Sequence, residues 1–171
     1  MSNKTFLPLR VAVLTVSDTR TIEEDASGQT LADLLRADGH ELAQRKLVRD
    51  DIYQVRAVVS AWIADQEIDV VLTTGGTGVT GRDGTPEAIT PLFDKEIPGF
   101  GELFRWQSFQ KIGTSTVQSR ALGGVANGTY LFVLPGSRSA CVDAWEGILR
   151  SQLDRRHRPC NFSELIPRLK E

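Results

Sequence analysis

The sequence predicts an α/β domain: a mostly parallel sheet with helices on both faces and one β-hairpin. Three observations lead there. Two apolar, β-branched runs, residues 10–17 (RVAVLTVS) and 69–74 (DVVLTT), read as buried strands. Stretches with helix-spaced apolar residues separate the strand-like runs. The resulting order, β-α-β-α-β, requires crossover connections and therefore a parallel sheet. Asn127-Gly128 sits between two further β-like runs, the pairing that a tight hairpin turn favours.

Taken in order, residues 1–9 read as a loose arm. Residues 10–17 form the first strand, and the polar residues 18–27 a loop. A first helix covers residues 30–38, with Leu31, Leu34 and Leu35 on one face and Gly39 as its stop. Residues 40–48 suit a second strand. Asp50 or Asp51 caps a second helix whose apolar face is Ile52, Val55, Val59, Trp62 and Ile63. The third strand, 69–74, enters a glycine-rich loop, and a short helix follows at 86–93. Thr85 suits its N-cap, and Pro86 its first turn, where a missing N–H costs nothing. Pro98-Gly99 breaks the chain before a helix over 100–109, and 113–120 is irregular. Residues 121–126 and 129–134 make the hairpin. A last helix runs over 139–153, and 154–171 is a polar tail with too few apolar residues to pack alone. No repeat or low-complexity linker divides the chain, so residues 1–171 read as one domain.

Composition narrows the function classes. The 171 residues are 40% hydrophobic and 25% charged, with a net charge of −2, ordinary for a globular domain. That balance points to neither nucleic acid nor an anionic membrane as partner. No signal peptide or membrane-spanning run is legible. Cys141 and Cys160 are the only cysteines, without metal spacing, and read as reduced thiols of a cytoplasmic protein. His40 and His157 are isolated, so neither a protein-built zinc site nor a Ser-His-Asp or Cys-His set is expected.

The glycine loop carries the strongest chemical signal. Thr73-Thr74-Gly75-Gly76-Thr77-Gly78-Val79-Thr80-Gly81-Arg82-Asp83-Gly84 leaves much backbone bare before a helix, an arrangement suited to phosphate. Gly76-x-Gly78-x-x-Gly81 is a literal dinucleotide fingerprint in the wrong place, after the third strand rather than the first. No Gly-Lys-Ser/Thr follows, so it is not a P-loop either. Ligands of open α/β sheets gather beyond the carboxyl ends of the strands. There, hydroxyls, bare amides, Arg82 and the carboxylates Asp50 and Asp83 should converge, a set suited to phosphoryl or nucleotidyl transfer. Each residue has a plainer explanation. Asp50 serves equally as a helix cap, Ser27 as the first helix's N-cap, Arg82 as a solvated charge and Asp83 as a loop brace. An acid beside a phosphate loop repels its ligand unless a cation bridges them, which favours a Mg²⁺ role for Asp83.

Several motifs together resemble the molybdopterin-binding MoaB/MogA family, which also includes the G domain of gephyrin. They are Thr73-Thr74-Gly75-Gly76-Thr77-Gly78, Arg82-Asp83-x-Thr85-Pro86-Glu87-Ala88, Leu14-Thr15-Val16-Ser17-Asp18, Asp25-x-Ser27-Gly28, Pro98-Gly99-Phe100, Ser119-Arg120 and Leu134-Pro135-Gly136-Ser137. Arg158-Pro159-Cys160-Asn161-Phe162 looks most like bacterial MoaB members. The resemblance implies a three-layer α/β/α fold, assembled as a trimer or hexamer, and a role in molybdenum cofactor biosynthesis. It implies molybdopterin as ligand and, in active members, adenylylation of its terminal phosphate by Mg-ATP. Carried over by motif, Asp50 and Asp83 are the catalytic or metal-facing acids. Gly75, Gly76, Thr77 and Gly78 hold phosphate with Arg82, and Ser27, Ser119 and Ser137 surround the ligand.

Two positions depart from the adenylylating pattern: Gly84 follows Arg-Asp, and the last turn reads Pro-Gly-Ser-Arg. Two readings therefore stand, a molybdopterin adenylyltransferase and a non-catalytic binding or carrier protein for molybdopterin or its precursor. A Cβ at Gly78 is expected to obstruct the ligand while changing stability little.

Overall fold

Period-two alternation along the central strands sets the layering. In the computed structural model, which describes residues 4–171, β1 is Arg10–Val16 and β3 is Val70–Thr74. Val11, Val13, Val70 and Leu72 point into one core; Ala12, Leu14, Val16 and Val71 point into another. The first core is covered by α1 (Ala26–Ala37), α4 (Pro98–Ile112) and α5 (Arg138–Ala144). The second is covered by α2 (Ile52–Ala64) and α3 (Thr85–Ile89). The result is the expected three-layer α/β/α architecture.

The sheet has six strands in the order β2-β1-β3-β6-β5-β4. β2 (Glu41–Val48), β1, β3 and β6 (Thr129–Leu134) run parallel, while β5 (Leu122–Ala126) is antiparallel to β6 and to β4 (Lys95–Glu96). Asn127 and Gly128, with φ of 48° and 79°, close the β5–β6 hairpin as their sequence requires.

Several boundaries differ from expectation, each for a physical reason. Helix α1 begins at Ala26 because the Asp25 carboxylate accepts the Gly28 N–H at 2.9 Å; Asp25, not Ser27, is the cap. Asp51, not Asp50, caps α2, accepting from Tyr53 and Gln54. Gly84 takes the cap position of α3, so Thr85 lies inside the helix; a 3₁₀ turn, Thr90–Leu92, follows. Pro98 and Gly99 open α4 instead of breaking the chain, since a first-turn proline loses no helical bond. The irregular stretch after α4 is a 3₁₀ segment, Gly113–Gln118. The last helix contains a π-turn, Trp145–Leu149, and ends in a final turn, Arg150–Gln152.

Residues 4–9 and the tail are packed more tightly than their sequences suggest. Residues 1–3 of the expected loose arm lie outside the described residues. From residue 4 the arm is held: Phe6 packs on His40, Leu9 is buried, and Lys4 pairs with Glu164. The tail is not a separate polar arm. Phe162 packs against both Tyr130 and Phe132, the Tyr130 hydroxyl donates to the Phe162 carbonyl, and Ile166 and Leu169 pack on the first core. Arg156 pairs with Asp154 and lies over Phe6. Buried Trp62 and Trp145 donate to Gln44 and Asp38, so both indole N–H groups are satisfied within the core. No helix among the described residues is long and apolar enough to cross a membrane.

Candidate functional site

Strand register gathers the loops. Thr15 of β1 lies beside Thr74 of β3, and Thr74 beside Leu134 of β6, so the chain leaves all three strands at one edge of the sheet. From β1 the chain goes outward to β2 and then returns past β1 to β3. That reversal opens a crevice between the loops after β1 and β3, the usual ligand position in such sheets.

Glycine lets these loops touch. Gly75 has φ of 102°, and a Cβ there would collide with the Val16 carbonyl. Gly76 has φ of 63°, and a Cβ there would lie 2.7 Å from Asp50 Oδ1 and closer still to Thr85 Oγ1. Around this crossing is a cavity of about 390 Å³ lined by residues 16–20, Asp50, Gly75, Gly76, Gly136 and Ser137. A second cavity, of about 260 Å³, is lined by Thr77, Gly78, Phe104, Ser108, Ile112, Gln118, Ser119, Pro135, Ser137 and Ala140. Ser137 lines both and caps α5.

The two acids singled out from sequence sit in opposite environments. Asp50 is half-buried, and its Oδ1 is buried without a hydrogen-bond partner. Burial, with the negative charges of Asp18 and Asp83 nearby, raises its pKa. Asp83 is the reverse. Its carboxylate accepts the Thr80 hydroxyl and the Thr80 N–H at 3.0 Å, and these bonds hold its pKa below the usual carboxylate range. Asp83 lines neither cavity. It braces the loop from inside, bonded to Thr80. A Cβ at Gly78 would lie 2.6 Å from Asp83 Oδ2, so its first clash is with the loop's own brace.

The remaining predicted residues divide between lining and support. Gly75, Gly76 and Ser137 line the first cavity; Thr77, Gly78, Ser119 and again Ser137 line the second. Ser27 is a strut: its hydroxyl donates to the Gly136 carbonyl at 2.7 Å and holds the loop after β6. Arg82 makes a two-pronged pair with Asp18, at 2.9 and 2.8 Å, tying the glycine loop to the loop after β1. This pairing lowers the Asp18 pKa, and the Asp50 N–H also donates to Asp18.

Sequence reasoning missed three contributors. Asp18 stood in a quoted motif, without its role as partner to Arg82. Arg20 lines the first cavity, reaches Ser27 Oγ and the Gly136 carbonyl, and has no carboxylate partner among the described residues. Arg120 binds the carbonyls of Thr77, Gly78 and Asp83. Arg120, like Asp18, stood in a quoted motif, but its role was not legible there because its carbonyl partners lie 37 to 43 residues earlier in the chain.

The arrangement can hold an anionic ligand across two adjoining cavities, but it offers no strong nucleophile. Cys141 is buried beneath it, its thiol pushed up to about 11 by burial. Among the described residues no three His, Cys, Asp or Glu side chains gather as a metal cage.

Comparison with known proteins bears on the ligand. Residues 12–155 match the family described as "Probable molybdopterin binding domain". The chain is 55% identical over 157 residues to molybdenum cofactor biosynthesis protein B of Escherichia coli K12, covering 92% of each chain. It is 47% identical over 146 residues to the protein of the same name from Bacillus cereus, covering 85% of this chain and 86% of the other. A crystal structure of a molybdenum cofactor biosynthesis protein B superposes with a TM-score of 0.85 at 43% identity, covering 88% of this chain and 94% of that one. The tungsten cofactor synthesizing protein MoaB of Pyrococcus furiosus superposes with a TM-score of 0.79 at 35% identity, covering 96% and 98%.

Proposed function

This chain belongs to the molybdopterin-binding domain family, and on that premise we propose that it binds molybdopterin and adenylylates its terminal phosphate with Mg-ATP, in cytoplasmic molybdenum cofactor biosynthesis. The observation that carries the reading is Asp50. A half-buried carboxylate with an unpartnered oxygen, beside backbone that only glycine can supply, is costly to keep without a ligand to serve. The second cavity, walled by Phe104 and by the hydroxyls of Ser108 and Ser119, suits the pterin. The first, with Arg20, Ser17, Ser137 and the Gly75-Gly76 backbone, suits the nucleotide phosphates. An oxygen of the pterin phosphate attacks the α-phosphorus of ATP; the bond from that phosphorus to the bridging oxygen breaks, and pyrophosphate leaves. The chain contributes positioning and charge placement.

The residues fit a magnesium ion delivered with the nucleotide, because such ions use one or two carboxylates plus substrate phosphates. Asp50 is the acid free to hold it; Asp18 is paired with Arg82 and Asp83 is bonded within its own loop. When bound, the ion neutralises phosphate charge.

One observation favours the second reading, a molybdopterin carrier without catalysis: two of the three acids at the crevice are already occupied within the chain, Asp18 by Arg82 and Asp83 by Thr80. Incubation with molybdopterin and Mg-ATP separates the readings, since only the transferase releases pyrophosphate. We place the functional unit as a homo-oligomer, a trimer or hexamer, with the outer face of α4 as the contact. Trp106, Phe109 and Ile112 are 65%, 51% and 56% exposed there, beside a cavity of about 370 Å³.

A further inference from the structure

The glycine loop is bonded from both sides. On one side the Thr80 N–H donates to the Asp83 carboxylate, which also lies close against Gly78. On the other the loop's carbonyls face Arg120: Nε donates to the Thr77 carbonyl at 3.2 Å and to the Gly78 carbonyl at 2.9 Å, and Nη2 donates to the Asp83 carbonyl at 3.2 Å. Nη1 pairs with Glu87 on α3. A trans peptide carries its C=O and N–H on opposite sides, so fixing these carbonyls also fixes where the adjoining amides point. Arg120 directly follows Ser119, and Ser119, Thr77 and Gly78 form walls of one cavity. A single guanidinium therefore spans the two sides of that cavity. Lysine offers a point charge and cannot reproduce a planar fork serving three carbonyls.

We propose that Arg120 is a positioning residue of the site: its guanidinium shapes the glycine loop and holds Thr77 and Gly78 at a set distance from Ser119, the gap that receives the pterin. The ligand part of this inference rests on the function proposed above; the loop part does not.

Arg120→Lys and Arg120→Met test it in the full-length protein. Amide hydrogen exchange without ligand is read at Thr80, Asp83 and Thr85, whose N–H groups are bonded within the loop, with β3 as internal reference. Molybdopterin affinity is titrated in parallel, and melting temperature is recorded. Both variants are expected to speed loop exchange about tenfold or more while β3 and the melting temperature hold, and to weaken molybdopterin about tenfold. Unchanged loop exchange in both variants overturns the proposal. So does a lysine variant that binds and exchanges like wild type, because charge alone would then suffice. If the wild type itself does not bind molybdopterin, the proposed function fails, while loop exchange still decides the role of Arg120.

Discussion

Asp50 and Asp83 show how one residue type acquires two roles. Burial and neighbouring acids penalise the charged form of Asp50, so its pKa in the folded chain lies above the unfolded value near about 3.9. Above that range the ionised group costs stability, and a neutral isostere relieves the cost. Asp50→Asn should therefore raise the melting temperature of the ligand-free protein by roughly one to three degrees near neutral pH, while abolishing nucleotidyl transfer. A variant that melts lower, or that still turns over, contradicts this role. Asp83 is held ionised by its loop, so its contribution is full above the unfolded pKa and is lost as pH falls towards the folded one. His40 adds a second pH response. It is buried against Phe6 and Trp145, with Asp38 and Asp154 as charged neighbours, and its Nδ1 accepts the Leu9 N–H at 3.1 Å. Burial lowers its pKa below 6.5. The unfolded chain then binds the proton first, so stability is full above about pH 6.5 and is lost as pH falls below it. Melting curves between about pH 7 and pH 5 should fall more steeply for wild type than for His40→Gln; equal slopes would remove His40 from the account.

At the scale of elements, the glycine loop separates strain from open space. Gly76→Ala forces a positive φ and a clash with Thr85 Oγ1, and Gly78→Ala pushes on Asp83; each should cost about 1–3 kcal/mol without ligand. Gly81→Ala meets nothing within 4 Å and should stay within about 0.5 kcal/mol of wild type. Urea melts of the three variants check the order, and an equal cost at all three would show that loop geometry is not the cause. The loop was legible in sequence because glycine clusters advertise backbone demands. β1 and β3 were legible because both their faces are buried and their residues say so. β4 was not: Lys95 and Glu96 are exposed and charged, and they become a strand only by pairing with Val125 and Gly124. The packing of the tail was hidden for a similar reason, since one phenylalanine in a polar stretch does not reveal that an aromatic pocket awaits it. In the site, residues with local signatures were found, whereas the role of Arg120, quoted only as part of a motif, was missed because its partners meet it only in three dimensions.

At the scale of the whole molecule, α4 is the helix that the assembly proposed above would use, and it also borders the site. Its outer face presents Trp106, Phe109 and Ile112, and Ile112 also lines the second cavity. Trp106→Glu should dissociate the homo-oligomer in sedimentation at micromolar concentration; a wild type already monomeric there would refute this contact. The central claim is that the crevice between the loops after β1 and β3 joins two phosphate groups by way of Asp50. Its most direct test is pyrophosphate release on incubation with molybdopterin and Mg-ATP, scored for wild type and Asp50→Asn. The account predicts pyrophosphate together with an adenylylated pterin from wild type, and neither from the variant. Molybdopterin bound by wild type without pyrophosphate release, or equal release from both proteins, would contradict it.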